Sequence, residues 1–142
     1  MRAIKKLIKR IVGEKEGTQA SCQCNECMDM CETPCWPTPD EVMRLVVIGY
    51  VRKLELKNWV IDGSEIEIVV PKRSDNGYCV FFKKGKCLLH RNGLKPREGR
   101  YAHHSHSSRD AQNFRADLAR LWNTAEGEGV VKYFVMRLVH VH

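Results

Sequence analysis

Two periodicities alternate along this chain. In Ala3–Val12 the apolar residues Ile4, Leu7, Ile8 and Ile11 recur at i, i+3, i+4 and i+7, while Lys5, Lys6, Lys9 and Arg10 fill the opposite face. That spacing predicts an amphipathic helix. A helix of this kind packs on its own domain, or docks on a membrane surface or a nucleic acid. The lack of serine, with Glu14 and Glu16 following at once, argues against a mitochondrial-type presequence. Residues 18–36 show neither period and read as an irregular loop. Thr38-Pro39-Asp40-Glu41 then predicts a helix start, with Thr38 as N-cap, Pro39 in the first turn and Glu41 completing a capping box. This helix is expected to run to about Lys57 and to bury Val42, Leu45, Val46 and Tyr50.

The period changes to two after Asn58. Asn58–Ile61, a turn at Asp62-Gly63 and the alternating Glu65–Val70 predict a short hairpin ending at Pro71. Ser74-Asp75-Asn76-Gly77 is a turn. Tyr78–His90 predicts a second hairpin around Lys83-Lys84-Gly85. A three-residue loop would face Phe81 to Cys87, with Cys79 on the same side, whereas a two- or four-residue loop would set Cys79 opposite His90. Residues 91–106 form a basic loop, after which Ser107 or Ser108 caps a helix with Ala111, Phe114, Leu118, Leu121 and Trp122 inward. Thr124 caps a last helix near Gly127–Leu138, although Val130–Val141 is also rich in β-formers. The pattern predicts a small α+β domain at 18–142, with short β-hairpins and three to four helices, preceded by the basic helix at 1–17.

Composition adds one anomaly. With 142 residues and 43% hydrophobic positions the chain can build an ordinary core. The longest apolar run, Leu45–Val51, is far short of the roughly twenty residues of a transmembrane helix. Cysteine, however, occurs seven times, and five of the seven fall within Cys22–Cys35. An odd number fits a paired disulfide framework poorly. Lys5, Lys6, Lys9 and Arg10 interrupt any apolar signal core, which argues for a reducing compartment, the cytoplasm. Clustered thiols there hold metal more often than they form disulfides.

The net charge of +7 is unevenly placed. Residues 1–16 carry six basic and two acidic side chains, and residues 72–100 carry nine and two. The cysteine-rich stretch Gly17–Asp40 has Glu26, Asp29, Glu32 and Asp40 and no Lys or Arg. Reactive thiolates are usually stabilised by nearby cations. An acidic thiol-rich loop is a better home for a bound cation.

The thiol pattern is Cys22-x-Cys24-x2-Cys27-x3-Cys31-x3-Cys35, followed downstream by Cys79-x7-Cys87. Soft ligands at two- and three-residue spacings, drawn from two distant segments, suit a tetrahedral zinc site or an iron site. Such a site would clip a small domain together. Four thiolates around one Zn²⁺ leave a formal −2, which Lys83, Lys84 and Lys86 could offset. His103, His104 and His106 follow the basic loop, and neutral imidazole from His103 or His104 is an ordinary companion to thiolate.

Taken in order, Cys24-x2-Cys27-x3-Cys31 leading into Trp36-Pro37-Thr38-Pro39-Asp40-Glu41, then Cys79-Val80-Phe81-Phe82, Gly85-Lys86-Cys87-Leu88-Leu89-His90, Gly93-Leu94-Lys95-Pro96 and Gly99-Arg100, resemble the cysteine-rich zinc- or iron-chelating family often called YkgJ-like. The resemblance covers roughly residues 22–125. It implies a compact, metal-clipped domain of bacterial or phage origin, with Cys24, Cys27, Cys31, Cys79 and Cys87 in the pattern. Many members carry a further cysteine beside the arginine of the last loop, where this chain reads Glu98-Gly99-Arg100. Either that ligand is lost, or its role passes to His103 or His104. Cys22 and Cys35 are additional to the pattern.

The function expected from these residues is metal binding, zinc ahead of iron, with the ion structural or sequestered. One alternative is a metalloenzyme with an open coordination position, but no Ser-His-Asp arrangement, phosphate loop or H-E-x-x-H motif specifies a reaction. Another is a zinc-stabilised module that binds nucleic acid, or an acidic protein surface, through Lys72–Arg100 and the N-terminal helix. Tyr78, Phe81 and Phe82 would there be available to stack on bases.

Overall fold

The computed structural model describes residues 34–96, 98 and 108–140. The expected N-terminal helix at 1–17 therefore lies outside the described residues. The first described helix, α1 (Pro39–Val47), begins as the sequence predicts. The Thr38 hydroxyl accepts the Glu41 N–H at 3.3 Å, and the Glu41 carboxylate accepts the Thr38 N–H at 2.9 Å. Both residues are buried, so the capping box satisfies amides that water cannot reach.

The end of α1 differs from the expectation. The helix stops at Val47 instead of running to about Lys57. Gly49 adopts φ +105°, and its N–H bonds to the Val46 carbonyl while Tyr50 N–H reaches back to Leu45. These two bonds are a Schellman closure, which a glycine past the cap accommodates without strain. A 3-10 turn at Val51–Lys53 follows, and Leu54–Lys57 belong to strand β1 (Leu54–Ile61). Tyr50 is half-buried, with its ring edge-on to Phe81 at 5.4 Å.

β1 pairs antiparallel with β2 (Ser64–Pro71) from Leu54↔Pro71 to Ile61↔Ser64. Asp62 and Gly63 both have positive φ, 51° and 77°, the two-residue turn that matches strand twist. Leu54, Ile68, Val69 and Val70 are buried, whereas Trp59 and Val60 near the tip are exposed. The second hairpin is much shorter than expected. β3 (Phe82–Lys83) and β4 (Lys86–Cys87) make two pairs around the turn Lys84-Gly85, with Phe82 opposite Cys87. Helix α2 (Leu88–Arg91) starts immediately afterwards. The register is that of a two-residue loop, which continued would set Cys79 opposite His90, but the ladder ends at Phe82↔Cys87 and Cys79 bridges instead to Arg73.

α3 (Ser108–Trp122) and α4 (Ala125–His140) complete the described fold. Thr124 caps α4 by accepting the Gly127 N–H at 3.0 Å, which settles the Val130–Val141 region as helix through His140. α4 lies against α1, β2 and the 3-10 turn, and α3 lies against α4 and both strands of the first hairpin. Trp122, Phe81, Phe114, Phe134, Leu45 and Leu118 are the heart of the core. Ala111, expected inside, is exposed, and Ala119 and Asp117 are buried on α3 instead. The described fold is thus α+β, with three helices of at least nine residues and a two-stranded antiparallel sheet. Among the described residues no helix is long and apolar enough to cross a membrane.

Candidate metal centre

The segment Cys35–Thr38 is held at four successive points. Trp36 is 2% exposed, and its N–H donates to Glu98 Oε1 at 2.7 Å. Its ring meets Trp59 edge-on at 4.7 Å and lies under the Arg115 guanidinium at 4.3 Å. The Pro37 carbonyl accepts the Trp122 indole N–H at 2.9 Å, and Thr38 is locked into its capping box. An extended segment with no ladder of its own is thereby tied to α3 through Arg115 and Trp122. The consequence is that Cys35 has a defined place.

That place is within electrostatic reach of the other two described cysteines. Cys79 is buried in the core, held by its bridge to Arg73 and by its carbonyl accepting the Phe82 N–H at 2.9 Å. Cys87 is half-buried at the end of β4. None of Cys35, Cys79 and Cys87 is in a disulfide. Burial pushes the Cys35 thiol well above its ordinary pKa, and the negative charges available at Glu98, Cys79 and Cys87 push it further. Lys95 acts in the opposite direction but does not prevail. These mutual effects place the Cys35 sulfur within electrostatic reach of both other thiols and of Glu98.

Glu98 is the hinge of the arrangement. Besides accepting the Trp36 N–H, it takes two hydrogen bonds from Arg115, at 2.7 and 2.9 Å. Burial disfavours the Arg115 charge, but the hydrogen bonds and attraction of Glu98, with a smaller pull from Cys35, raise its pKa overall. Such a bidentate pair fixes geometry as well as charge. With its oxygens engaged by Arg115 and Trp36, Glu98 acts as a brace for the thiol group.

Chemically, the cluster is unsuited to nucleophilic work. Reactive cysteines have lowered pKa values in electropositive surroundings, and Cys35 has the reverse. A divalent cation changes that balance, because its own charge outweighs the neighbours and a coordinating thiol is deprotonated outright. Thiols that are buried or half-buried near a carboxylate therefore fit a soft cation better than they fit catalysis by a free thiolate.

Of the predicted ligands, Cys79 and Cys87 lie among the described residues, and both act electrostatically on Cys35. Cys24, Cys27, Cys31, His103 and His104 lie outside the described residues, as does Cys22. Among the described residues no three His, Cys, Asp or Glu side chains stand in metal-ligating geometry. Cys35, set aside as additional to the family pattern, is the residue whose position sequence reasoning missed. The available signal was its attachment to Trp36-Pro37-Thr38, a segment with both a large aromatic anchor and a capping box. Arg115 carries no sequence signal of its role. The basic stretch fares differently. Phe81 is in the core and Phe82 is half-buried, so of the three aromatics only Tyr78 is exposed, edge-on to Phe82.

No family model, no curated protein and no solved structure matches the chain.

Proposed function

We propose that the chain is a small metal-binding protein in which Cys35, Cys79 and Cys87 contribute thiolates to one soft cation, zinc ahead of iron. The remaining coordination comes from Cys24, Cys27 or Cys31, with His103 and His104 as the imidazole alternatives. The observation that supports this reading is that Cys79 and Cys87 both act electrostatically on Cys35, which comes from a separate segment of the chain. Zinc takes four ligands from thiolate and imidazole in a closed structural site. Lys95 and Arg115 stand near enough to offset part of the negative charge that several thiolates would bring. The order of motifs resembling the YkgJ-like family points the same way.

In this role the metal joins the Cys35 segment to the second hairpin and is structural or sequestered. Ligand binding to the folded state alone adds to stability by mass action. The test is elemental analysis of the full chain, purified without a histidine tag or chelator, together with its absorption spectrum. One zinc per chain without visible colour is the expected result. Iron with visible bands retains metal binding and changes the ion. A folded, monodisperse chain that holds no metal overturns the proposal.

A further inference from the structure

A groove of about 920 Å³ lies between the tip of the first hairpin and α4, and its lining residue Trp59 meets Trp36 edge-on at 4.7 Å. Trp59, Val60 and Ile66 form one wall, and Trp122 and Val131 form the floor and the other wall. Trp59 is 38% exposed and Val60 62% exposed. The apolar surface does not stop at the groove. On a helix, positions 128, 131, 132, 135, 138 and 139 share one side, and Val135, Leu138 and Val139 are exposed beyond Val131. A continuous apolar strip of this kind on a small domain marks a contact site. Its rim is net acidic, with Glu65, Glu67 and Glu128 against Lys132 and Lys57, whose Nζ lies 6.0 Å from the Trp59 ring centroid.

We infer that this groove is the docking site for the chain's own segment Ala3–Val12, which lies outside the described residues. Three features match. The groove offers Trp59, Val60, Ile66 and Val131 as apolar surface, and the segment carries Ile4, Leu7, Ile8 and Ile11 as one stripe. The groove's rim is net negative, and Lys5, Lys6, Lys9 and Arg10 flank that stripe. As a helix the stripe would span about 10 Å, and α4 from Glu128 to Val139 offers about 16 Å. Reach is not limiting, since residues 13–33 can extend to roughly 70 Å. A tether of that length holds the segment near the groove at a high effective concentration. Opposite charges around an apolar seam also fix which way the segment lies. Nothing in this contact depends on a bound metal.

Trp59 makes the contact readable. Of the three tryptophans, Trp36 and Trp122 are 2% and 1% exposed, so Trp59 is the solvent-accessible one. The experiment uses the full chain. Zero-length carbodiimide cross-linking, read by mass spectrometry of the monomer band, is expected to join Lys5, Lys6 or Lys9 to Glu65, Glu67 or Glu128. The double variant Leu7→Asp/Ile8→Asp is expected to lose those cross-links, to red-shift the tryptophan emission and to raise its quenching by acrylamide. Glu65→Lys/Glu67→Lys, which changes only exposed side chains, is expected to do the same. Trp59→Phe should abolish the fluorescence response while leaving the cross-links to Glu67 and Glu128. Monomers without such cross-links, whose emission ignores both double variants, would overturn the inference. Cross-links confined to dimers would overturn it too, by assigning the groove to a second copy.

Discussion

The Arg115 guanidinium lies 4.3 Å over the Trp36 ring while its two hydrogen bonds hold the carboxylate that accepts the Trp36 N–H. One helical side chain thus fixes both the ring and the backbone of the residue next to Cys35. Arg115 is therefore a positioning residue for the thiol cluster. Its effect is transmitted through Trp36 and Glu98.

Arg115→Lys keeps the charge but loses the planar fork and the stacking surface, so it is not conservative here. Arg115 is about one-third exposed, which puts the loss at the low end for charged hydrogen bonds, about 1–2 kcal/mol. Urea unfolding measures it. The same variant is expected to weaken metal retention against a competing chelator, because Cys35 loses its anchor. Arg109→Lys, at an exposed position on the same helix, is expected to change neither.

Gly127→Ala should destabilise the protein although alanine is the better helix former. A Cβ at this position would come within 2.7 Å of the Trp122 Cα, which belongs to the backbone of the preceding helix. Backbone cannot step aside as a flexible side chain can. Overpacking of this kind costs about 1–3 kcal/mol, against the roughly 1 kcal/mol that glycine-to-alanine gains in helix propensity. The net effect is a lower Tm, read by calorimetry. Gly129→Ala, where the added Cβ meets nothing within 4 Å, should raise Tm.

Asp62 at the tip of the first hairpin accepts two hydrogen bonds from Arg120 of α3, at 2.9 and 3.3 Å. That hydrogen bonding holds the Asp62 carboxyl below its usual pKa. A group whose folded pKa is lowered stabilises the fold above its unfolded value, about 3.9, and loses that contribution as pH falls through the folded value. Asp62→Asn should therefore be less stable than the parent at neutral pH. The gap should close as the pH falls below about 4, and it should shrink in high salt because the pair is solvent-exposed. Chemical unfolding at several pH values checks each point.

Local chemistry explains which elements could be read in advance. The Thr38–Glu41 capping box, the Asp62-Gly63 turn and the Thr124 cap each involve residues within three positions of one another, and all three occur as their spacing predicts. The end of α1 was also locally encoded, at Gly49. The apolar positions Leu45, Val46 and Tyr50 continue a helical spacing past it, so periodicity alone hides the stop that this single glycine encodes. The second hairpin departs for a different reason. Leu88 is drawn into a helix and Leu89 into the core, so β4 ends before it could reach a partner for Cys79. At the candidate site, Cys79 and Cys87 come from one stretch of chain around the second hairpin, with Arg73 and Phe82 as their backbone partners. The approach of Cys35 depends on Glu98, Arg115 and Trp122, all distant in sequence. Such placement is tertiary and leaves no mark in spacing.

The most direct test of the central claim is zinc K-edge X-ray absorption on the full chain as purified, compared with Cys35→Ser, Cys79→Ser and Cys87→Ser. The parent is expected to show a sulfur-dominated shell at about 2.3 Å, and each substitution is expected to remove one sulfur from it. A shell of oxygen and nitrogen alone, or a sulfur count unchanged across all three variants, would contradict a metal centre built on these thiols.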